Sequence, residues 1–314
     1  MELSGRMAAS IGPDGIELRW VSDVAQVPDA CASIRARAAG AIAVDLEGVD
    51  LGRHGEICII QVTTSRRGTP IFLFDVVALG KALFSGGDGL AGLLEDPSLK
   101  KLFWDVRSDA SALFFQFGVQ LRGAVDLQLH DVAQRKLAGI PCFKISSLGF
   151  VCEKTRLAQL TEEERERLAA VKGRALEMFS PAKGGSYAVW KQRPLPACLL
   201  EYCCDSALFF SLLASYTDQF PALLPGGAFW AALDAAVARR LALATSDAWE
   251  SADKETVIGI DEALLADLKA AGAVFPAPAG VGKGRGTASG GRGGRGGTGG
   301  EGGGGAAAGA SEQN

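Results

Sequence analysis

Two acidic residues stand at alternate positions of one apolar segment. Asp45 and Glu47 lie in AIAVDLEGVDLG (41–52), and their spacing places both carboxylates on one face of a strand. Carboxylates side by side on a hydrophobic strand repel each other, and burial adds to the cost unless a cation neutralises them. The pair therefore predicts a cation site. A strand that runs out into solvent is the alternative that this motif leaves open.

Two further carboxylates extend the set. Asp109 opens the helix that follows KKLFW (100–104), and Asp205 lies within an otherwise apolar helix predicted at 195–216. Asp109 alone could be an ordinary N-terminal helix acid. Asp205 is harder to explain in this way, because an ionised Asp is rarely buried without a partner. Four hard oxygen donors suit Mg²⁺ or Mn²⁺ rather than Zn²⁺. Two such ions can activate a water and stabilise the leaving oxygen of a phosphodiester.

The segments around these acids predict an α/β fold. Five strands are predicted, at 41–52, 57–63, 70–76, 100–104 and 124–127. The first three are closely spaced and form an antiparallel meander, whereas the last two alternate with helices, as in parallel crossovers. Helices are predicted at 24–39, 88–95, 109–117, 128–137, 146–153, 161–178, 195–216, 226–243 and 261–271. The result is a mixed five-stranded sheet flanked by helices.

Composition limits the class of protein. The chain has 314 residues, of which 48% are hydrophobic, and a net charge of −4, so a wholly disordered chain is excluded. The most apolar stretch is interrupted by Glu201 and Asp205, so no membrane span and no membrane contact are expected. Seven cysteines without a C-x-x-C pair, and no apolar signal-peptide core, predict an intracellular protein of the nucleus or cytoplasm, with an organelle left open.

Three segments resemble the motifs of a nuclease family. The first exonuclease motif of the DEDD superfamily of 3′–5′ exonucleases, in its ribonuclease D-like branch, is similar to AVDLEGVDLGRHGEICIIQV. The second motif is similar to KKLFWDVRSDASALFFQFGVQLRGAVDLQ, and the approach to the third to GGSYAVWKQRPLPACLLEYCCDSALFF. The resemblance implies a ribonuclease H-like three-layer fold and two divalent cations, Mg²⁺ or Mn²⁺. It also implies that Asp45, Glu47, Asp109 and Asp205 are the metal-binding acids.

The third motif departs from the family pattern. The family places Tyr four residues before its Asp, or His five before, and here Glu201 and Leu200 occupy those positions. Tyr202 lies three residues before Asp205. Because positions i+3 and i+4 share a helix face, we expect Tyr202 to join the four acids as a catalytic residue that orients the attacking water. We expect Glu201 to turn toward solvent or a basic neighbour.

The resemblance implies a metal-dependent 3′–5′ exonuclease that acts on RNA or single-stranded DNA and releases nucleoside 5′-monophosphates, with no organic cofactor. The expected partner is thus the 3′ end of a nucleic acid, and the sequence identifies no protein partner. Arg and Lys in 53–67, 183–193 and 235–240 would line a phosphate path. The alternative is a non-catalytic RNA-binding adaptor of Egalitarian type on the same fold, which the altered third motif favours and the four intact acids oppose.

Other polar residues receive structural interpretations. His54 in the GRHGE turn is predicted to be a loop residue, with contact to a nucleic-acid end as the alternative. Asp126 resembles a recurrent acid of the family, and a cap for the next helix explains it equally well. Asp105 and Asp131 are predicted to be solvated or capping acids. The adjacent Cys203 and Cys204 are predicted to pack within their helix.

The chain divides into four predicted parts. An N-terminal extension at 1–16 precedes the exonuclease domain at 17–245, and a helical extension follows at 246–275. Glycines concentrate in 276–314, where GKGRGTASGGRGGRGG is an RGG-like segment. Such segments stay disordered and bind RNA weakly through Arg charge and stacking. A flexible extension without function is the alternative for this tail.

Overall fold

The computed structural model describes residues 8–11, 16–64, 69–153, 161–205, 226–249 and 262–276. The predicted helical stretch beyond residue 205 and the Gly-rich tail beyond residue 276 lie outside the described residues. Within them, no helix is long and apolar enough to cross a bilayer.

A mixed sheet forms the middle layer. Its strands are β1 (Ala8–Ile11), β2 (Glu17–Val21), β3 (Ala41–Val49), β4 (Glu56–Thr64), β5 (Ile71–Asp75), β6 (Lys100–Phe103) and β7 (Ala124–Asp126). Their order in the sheet is β1-β2-β5-β4-β3-β6-β7. The β3–β4–β5 meander is antiparallel, and β6 and β7 continue parallel to β3, as predicted. The α/β, ribonuclease H-like architecture is confirmed.

The sheet has two strands more than the five predicted. β2 pairs parallel with β5, and β1 pairs antiparallel with β2 at the edge. Residues 8–11 of the predicted N-terminal extension therefore belong to the sheet. β2 is joined to β5 through a pairing that is distant in sequence, and β1 is joined only to β2, so the local sequence pattern gave little indication of either strand.

Helices cover both faces of the sheet. They are α1 (Val27–Arg37), α2 (Val76–Leu79), α3 (Leu90–Leu94), α4 (Arg107–Phe117), α5 (Leu127–Leu137), α6 (Leu148–Glu153), α7 (Glu162–Phe179), α8 (197–205), α9 (Gly227–Ala244) and α10 (Glu262–Ala270). The connector between α7 and α8 contains two short 3₁₀ helices, Pro181–Lys183 and Tyr187–Lys191. The last helix, α10, packs against α9.

The interior strand β3 is buried on both faces. Ile42, Val44 and Leu46 enter the larger core, which also contains residues of α1, α4 and α9. On the opposite face, Ala43 packs with Leu102 and with residues of α6 and α7. Because side chains alternate along a strand, Asp45 and Glu47 share the Ala43 face. The acids therefore lie where helices cover the sheet rather than where the strand meets solvent.

The helix α7 begins with a capping box. Thr161 Oγ1 accepts a hydrogen bond from the Glu164 amide at 3.2 Å, and Glu164 Oε2 accepts one from the Thr161 amide at 2.7 Å. This reciprocal pair satisfies N–H groups that a helix start leaves open. Farther along, Leu168, Val171 and Phe179 are buried. Their contacts fix α7 over the face of the sheet that carries the acids.

Candidate active site

The acidic pair of β3 is buried. Asp45 is 1% exposed and Glu47 4% exposed. Asp45 Oδ1 accepts a hydrogen bond from the Leu46 amide at 3.0 Å, and its Oδ2 accepts one from Gln61 Nε2 at 3.3 Å. Gln61 is the residue opposite Asp45 in the β3–β4 register. The neighbouring strand therefore holds the carboxylate in place, and the solvated-strand alternative is wrong.

Asp109 joins this pair from the first turn of α4. Its carboxyl is buried, and its pKa lies well above the ordinary value because of burial and the charges of Asp45, Asp105 and Asp126. The pKa of Glu47 is raised by burial and by Asp45 and Asp109, while Lys172 opposes the rise. The carboxyls of Asp45, Glu47 and Asp109 are therefore close enough to repel one another electrostatically. We call these three residues the acid cluster.

The fourth acid is held by a guanidinium group. Asp205, on α8, is 4% exposed, and its Oδ1 accepts a hydrogen bond from Arg167 Nη1 of α7 at 3.3 Å. Glu201, one turn earlier, accepts a hydrogen bond from Arg174 Nη2 at 2.9 Å. Glu201 thus turns toward a basic neighbour, as predicted. Two ion pairs, Arg167–Asp205 and Arg174–Glu201, therefore connect α7 to α8.

Tyr202 lies in an aromatic cluster beside α8. Its ring is 5% exposed and lies 5.5 Å from the ring of Phe179 and 6.2 Å from that of Trp190. The ring of Phe179 in turn lies 6.2 Å from that of Tyr187. Tyr202 therefore anchors α8 to the 3₁₀ helix and to α7, a packing role that the spacing argument did not include.

Two further residues approach the acids. Cys203 is fully buried, and burial, followed by the charges of Glu47, Cys204 and Asp45, raises the pKa of its thiol. Tyr187 is half-buried, and burial together with Asp50 and Glu47 raises the pKa of its hydroxyl. Neither approach to the acids was predicted, because a Cys in an apolar helix and a Tyr in a loop carry no distinguishing spacing. Packing of Cys203 and Cys204 within the helix is as predicted.

Asp126 supports the cluster from β7. It accepts hydrogen bonds from the amides of Asp105, Val106 and Gln128 and from Arg240 Nη1. The capping interpretation of Asp126 is confirmed by the bond from Gln128 at 3.1 Å. These bonds fix the start of α4.

Asp131 is buried, contrary to the prediction, whereas Asp105 is partly exposed, with 22% of its side chain accessible to solvent. Burial alone would raise the pKa of Asp105, but hydrogen bonds from Arg107 at 2.6 Å and the charge of Arg240 lower it below the ordinary value. Asp131 is buried and pairs with Arg135 at 2.6 Å. Both acids are therefore held in ion pairs with arginines that follow them two and four residues later in the chain.

The predicted phosphate path is only partly available. Arg193 binds Asp75 at 2.6 Å, and Arg240 binds Asp126 at 2.5 Å, so both serve the fold and the prediction is wrong for them. His54 lies exposed in a turn, in agreement with the loop interpretation. The basic residues that do face the acids, Arg167 and Lys172, belong to α7 and were missed, since a charged helix usually indicates a solvated face.

The buried acids form a candidate donor set for a divalent cation. In the part of the chain that the structure describes, no group of three His, Cys, Asp or Glu side chains is placed so that it could already hold a metal ion. The chemistry nevertheless fits, because the acid cluster offers buried oxygen ligands. Glu47 Oε1 is buried and accepts no hydrogen bond from the described residues. Asp45 and Asp205 each accept a hydrogen bond from a neighbouring side chain, Gln61 and Arg167 respectively.

Known protein sequences are similar to this chain. A family model described as 3′–5′ exonuclease matches residues 18–214. The chain is 30% identical over 160 residues to the piRNA biogenesis protein EXD1 of Mus musculus, a match that covers 51% of this chain and 26% of that protein. The chain thus spans about a quarter of the length of this curated relative.

Solved structures show the same fold. The structure of Trypanosoma brucei RNase D in complex with RNA U12 matches with a TM-score of 0.58 and 26% identity, over 79% of this chain and 77% of that one. The catalytic core of Trypanosoma brucei RRP6 matches with a TM-score of 0.51 and 19% identity, over 78% of this chain and 57% of that one. The second likeness is one of fold alone.

Proposed function

Because this chain belongs to the 3′–5′ exonuclease domain family, we propose that it is a metal-dependent exonuclease that shortens RNA from the 3′ end and releases nucleoside 5′-monophosphates. The observation that carries the proposal is the acid cluster: three carboxyls, each at most 4% exposed, whose charges raise the pKa of Glu47 and of Asp109. Like charges held together inside a protein destabilise the fold, and groups perturbed in this way are concentrated at functional sites. Single-stranded DNA is the second candidate substrate.

The residues have separate roles in this proposal. Asp45, Glu47, Asp109 and Asp205 would hold two divalent cations, Mg²⁺ or Mn²⁺. When bound, such ions supply a nucleophilic water near neutral pH and charge stabilisation at the scissile phosphodiester. Gln61 keeps Asp45 oriented through its hydrogen bond at 3.3 Å. The hydroxyl of Tyr202 is proposed to orient the attacking water, and the surrounding apolar side chains exclude bulk water.

RNA is favoured over DNA by the similar proteins. One solved relative is an RNase D in complex with RNA, and the curated relatives are named as piRNA biogenesis proteins. Their names support an RNA ligand for this chain as well.

A second candidate function is supported by the ion pair between Arg167 and Asp205. The guanidinium at 3.3 Å occupies the acid that the third motif supplies, and Tyr202 is packed among aromatic rings. An RNA-binding protein of this fold without catalysis would tolerate both features.

One experiment separates the two functions. A 5′-labelled single-stranded RNA is incubated with the full chain and Mn²⁺, and the same RNA with a blocked 3′ end serves as control. The exonuclease predicts a ladder of shortened products that EDTA abolishes and that the blocked RNA does not give. Retention of the RNA in a gel shift without any shortening would support the non-catalytic protein and overturn the exonuclease.

A further inference from the structure

Basic side chains of α7 line the side of the site opposite the sheet. Arg167 donates a hydrogen bond to Asp205, and the charge of Lys172 opposes the rise in the pKa of Glu47. Arg174 lies two turns after Arg167 and donates to Glu201. Three acids on or near the site therefore each have a cationic neighbour from the same helix.

These basic groups are not what fixes α7 in place. The buried Leu168, Val171 and Ala175 dock the helix, and the capping box at Thr161 closes its start. The side chain of Arg167 is 26% exposed and that of Arg174 53% exposed, so both heads reach solvent. Asp205 itself is buried, with 6% of its side chain exposed, so its charge needs a cation beside it. Arg167 can therefore leave Asp205 without loss of the contacts that dock α7 when another cation takes its place.

Charge balance indicates when it would leave. A divalent cation bound through Asp205 would stand beside the Arg167 guanidinium and repel it. A nucleic-acid strand brings phosphate groups to the same place, and the guanidinium fork matches phosphate oxygens as well as it matches a carboxylate. A phosphate of the bound strand can therefore pair with Arg167 when a cation binds Asp205 and displaces the guanidinium.

We propose that Arg167 is a phosphate-binding residue of this site, which holds Asp205 in the metal-free protein and passes to a phosphate of the bound strand when a divalent cation takes Asp205. The inference rests on the proposed function, because it assumes that Asp205 binds metal. It assigns to α7 a contact with the strand close to the acid cluster. Arg174 has no such role, since its partner Glu201 is not among the proposed ligands.

The test compares Arg167→Gln with the matched control Arg174→Gln, both in the full chain. Calorimetric titration with Mn²⁺ alone measures the first half of the exchange. Removing the competing guanidinium should tighten Mn²⁺ binding by about threefold, whereas Arg174→Gln should leave it within twofold of the parent. Circular dichroism of the variants checks that α7 remains folded. Arg167→Lys, which keeps a charge, should give intermediate values.

Binding of a single-stranded RNA 12-mer in Ca²⁺ measures the second half. Arg167→Gln should weaken binding by about fivefold at low salt and reduce the salt slope by about 0.7, the value of one phosphate contact on a single strand. Arg174→Gln should change the affinity by less than twofold.

The outcomes separate this inference from the proposed function. A parent chain that binds no Mn²⁺ overturns both. A parent that binds Mn²⁺ and shortens RNA, with an Arg167→Gln variant that binds Mn²⁺ and RNA like the parent, overturns the exchange alone. Tighter Mn²⁺ binding with unchanged RNA affinity also overturns the phosphate role, because Arg167 would then only compete with the metal.

Discussion

Asp45 is the residue on which the acid cluster depends. Its charge raises the pKa of both Glu47 and Asp109, so each of these carboxyls is destabilised by the same neighbour. In the metal-free protein, Asp45 therefore costs folding energy. We infer that Asp45 serves to bind a ligand of the acid cluster rather than to stabilise the fold.

Replacing Asp45 by Asn tests this cost. Asn keeps the shape and can still accept a hydrogen bond from the Leu46 amide, while the like-charge repulsion disappears. We expect the melting temperature in EDTA to hold or rise. Thermal unfolding followed by circular dichroism measures it. A clear fall in melting temperature would mean that Asp45 stabilises the fold in its charged form.

Tyr202 and Glu201 give a second pair of variants. Tyr202→Phe keeps the ring between Phe179 and Trp190 and removes only the hydroxyl, so we expect stability to change by about 1 kcal/mol at most. If the hydroxyl orients the water, turnover should fall by ~10²-fold. Glu201→Gln removes a partly exposed pair with Arg174 and should be nearly neutral.

Steady-state cleavage of RNA by the two variants supplies the ranking. The reverse ranking would show that the assignment of the third motif is off by one position. Equal inactivity of the parent and both variants would instead favour the non-catalytic protein.

Residue spacing accounts for part of the site. Asp45 and Glu47 share a face because strands have a period of two, and that prediction required nothing beyond the sequence. Arg167 and Cys203 could not be found in this way, because their approach to the acids depends on how α7 and α8 pack. The helical period of a sequence shows which residues share one face of a helix, but it does not show which element packs against that face.

At the scale of elements, α5 and α9 meet through a buried imidazole. His130 of α5 is 5% exposed, and its ring lies 5.6 Å from that of Trp230 on α9. Burial, against the opposing charge of Asp126, lowers the pKa of His130 from 6.5 to about 4. The folded protein therefore keeps this imidazole neutral in a pH range where the unfolded chain would protonate it.

This shift predicts acid sensitivity. Between pH 6.5 and about 4 the unfolded state binds more protons than the folded state, so stability falls as the pH falls through this window. From pH 7 to pH 5 the loss from His130 should be about 2 kcal/mol. Urea denaturation of the parent and of His130→Gln at both pH values measures the difference. An equal loss in the two proteins would show that His130 titrates normally.

The elements themselves were predicted unevenly. Strands β3 to β7 and the capped helix α7 follow from apolar runs and a capping box, which are local signals. Strands β1 and β2 were missed because they gain their stability from pairing with each other and, for β2, with the distant strand β5. The connector before α8 contains the 3₁₀ helix Tyr187–Lys191, whose Trp190 packs against Phe179 of α7.

At the scale of the whole molecule, the chain joins an acidic site to a basic tail. The predicted tail at 276–314 contains Lys283, Arg285, Arg292 and Arg295. With so few basic residues it can contact about four phosphates, so its contribution should be modest and should fade as salt is added.

Deleting 276–314 should therefore leave folding unchanged and weaken binding to long single strands. A titration of a long single-stranded RNA at low salt, with the full and the truncated chains, compares their affinities. A short RNA confined to the site serves as control and should bind both chains equally. Equal affinity for the long RNA as well would refute a role for the tail.

The central claim is that the acid cluster and Asp205 cleave RNA with bound divalent cations. The most direct measurement is release of the 3′-terminal nucleotide from a 3′-labelled single-stranded RNA in Mn²⁺, by the parent and by Asp45→Asn at equal concentration. We expect the parent to release labelled nucleoside 5′-monophosphate, and the folded variant to release none while it still binds the RNA weakly. Equal release by the two proteins would contradict the claim.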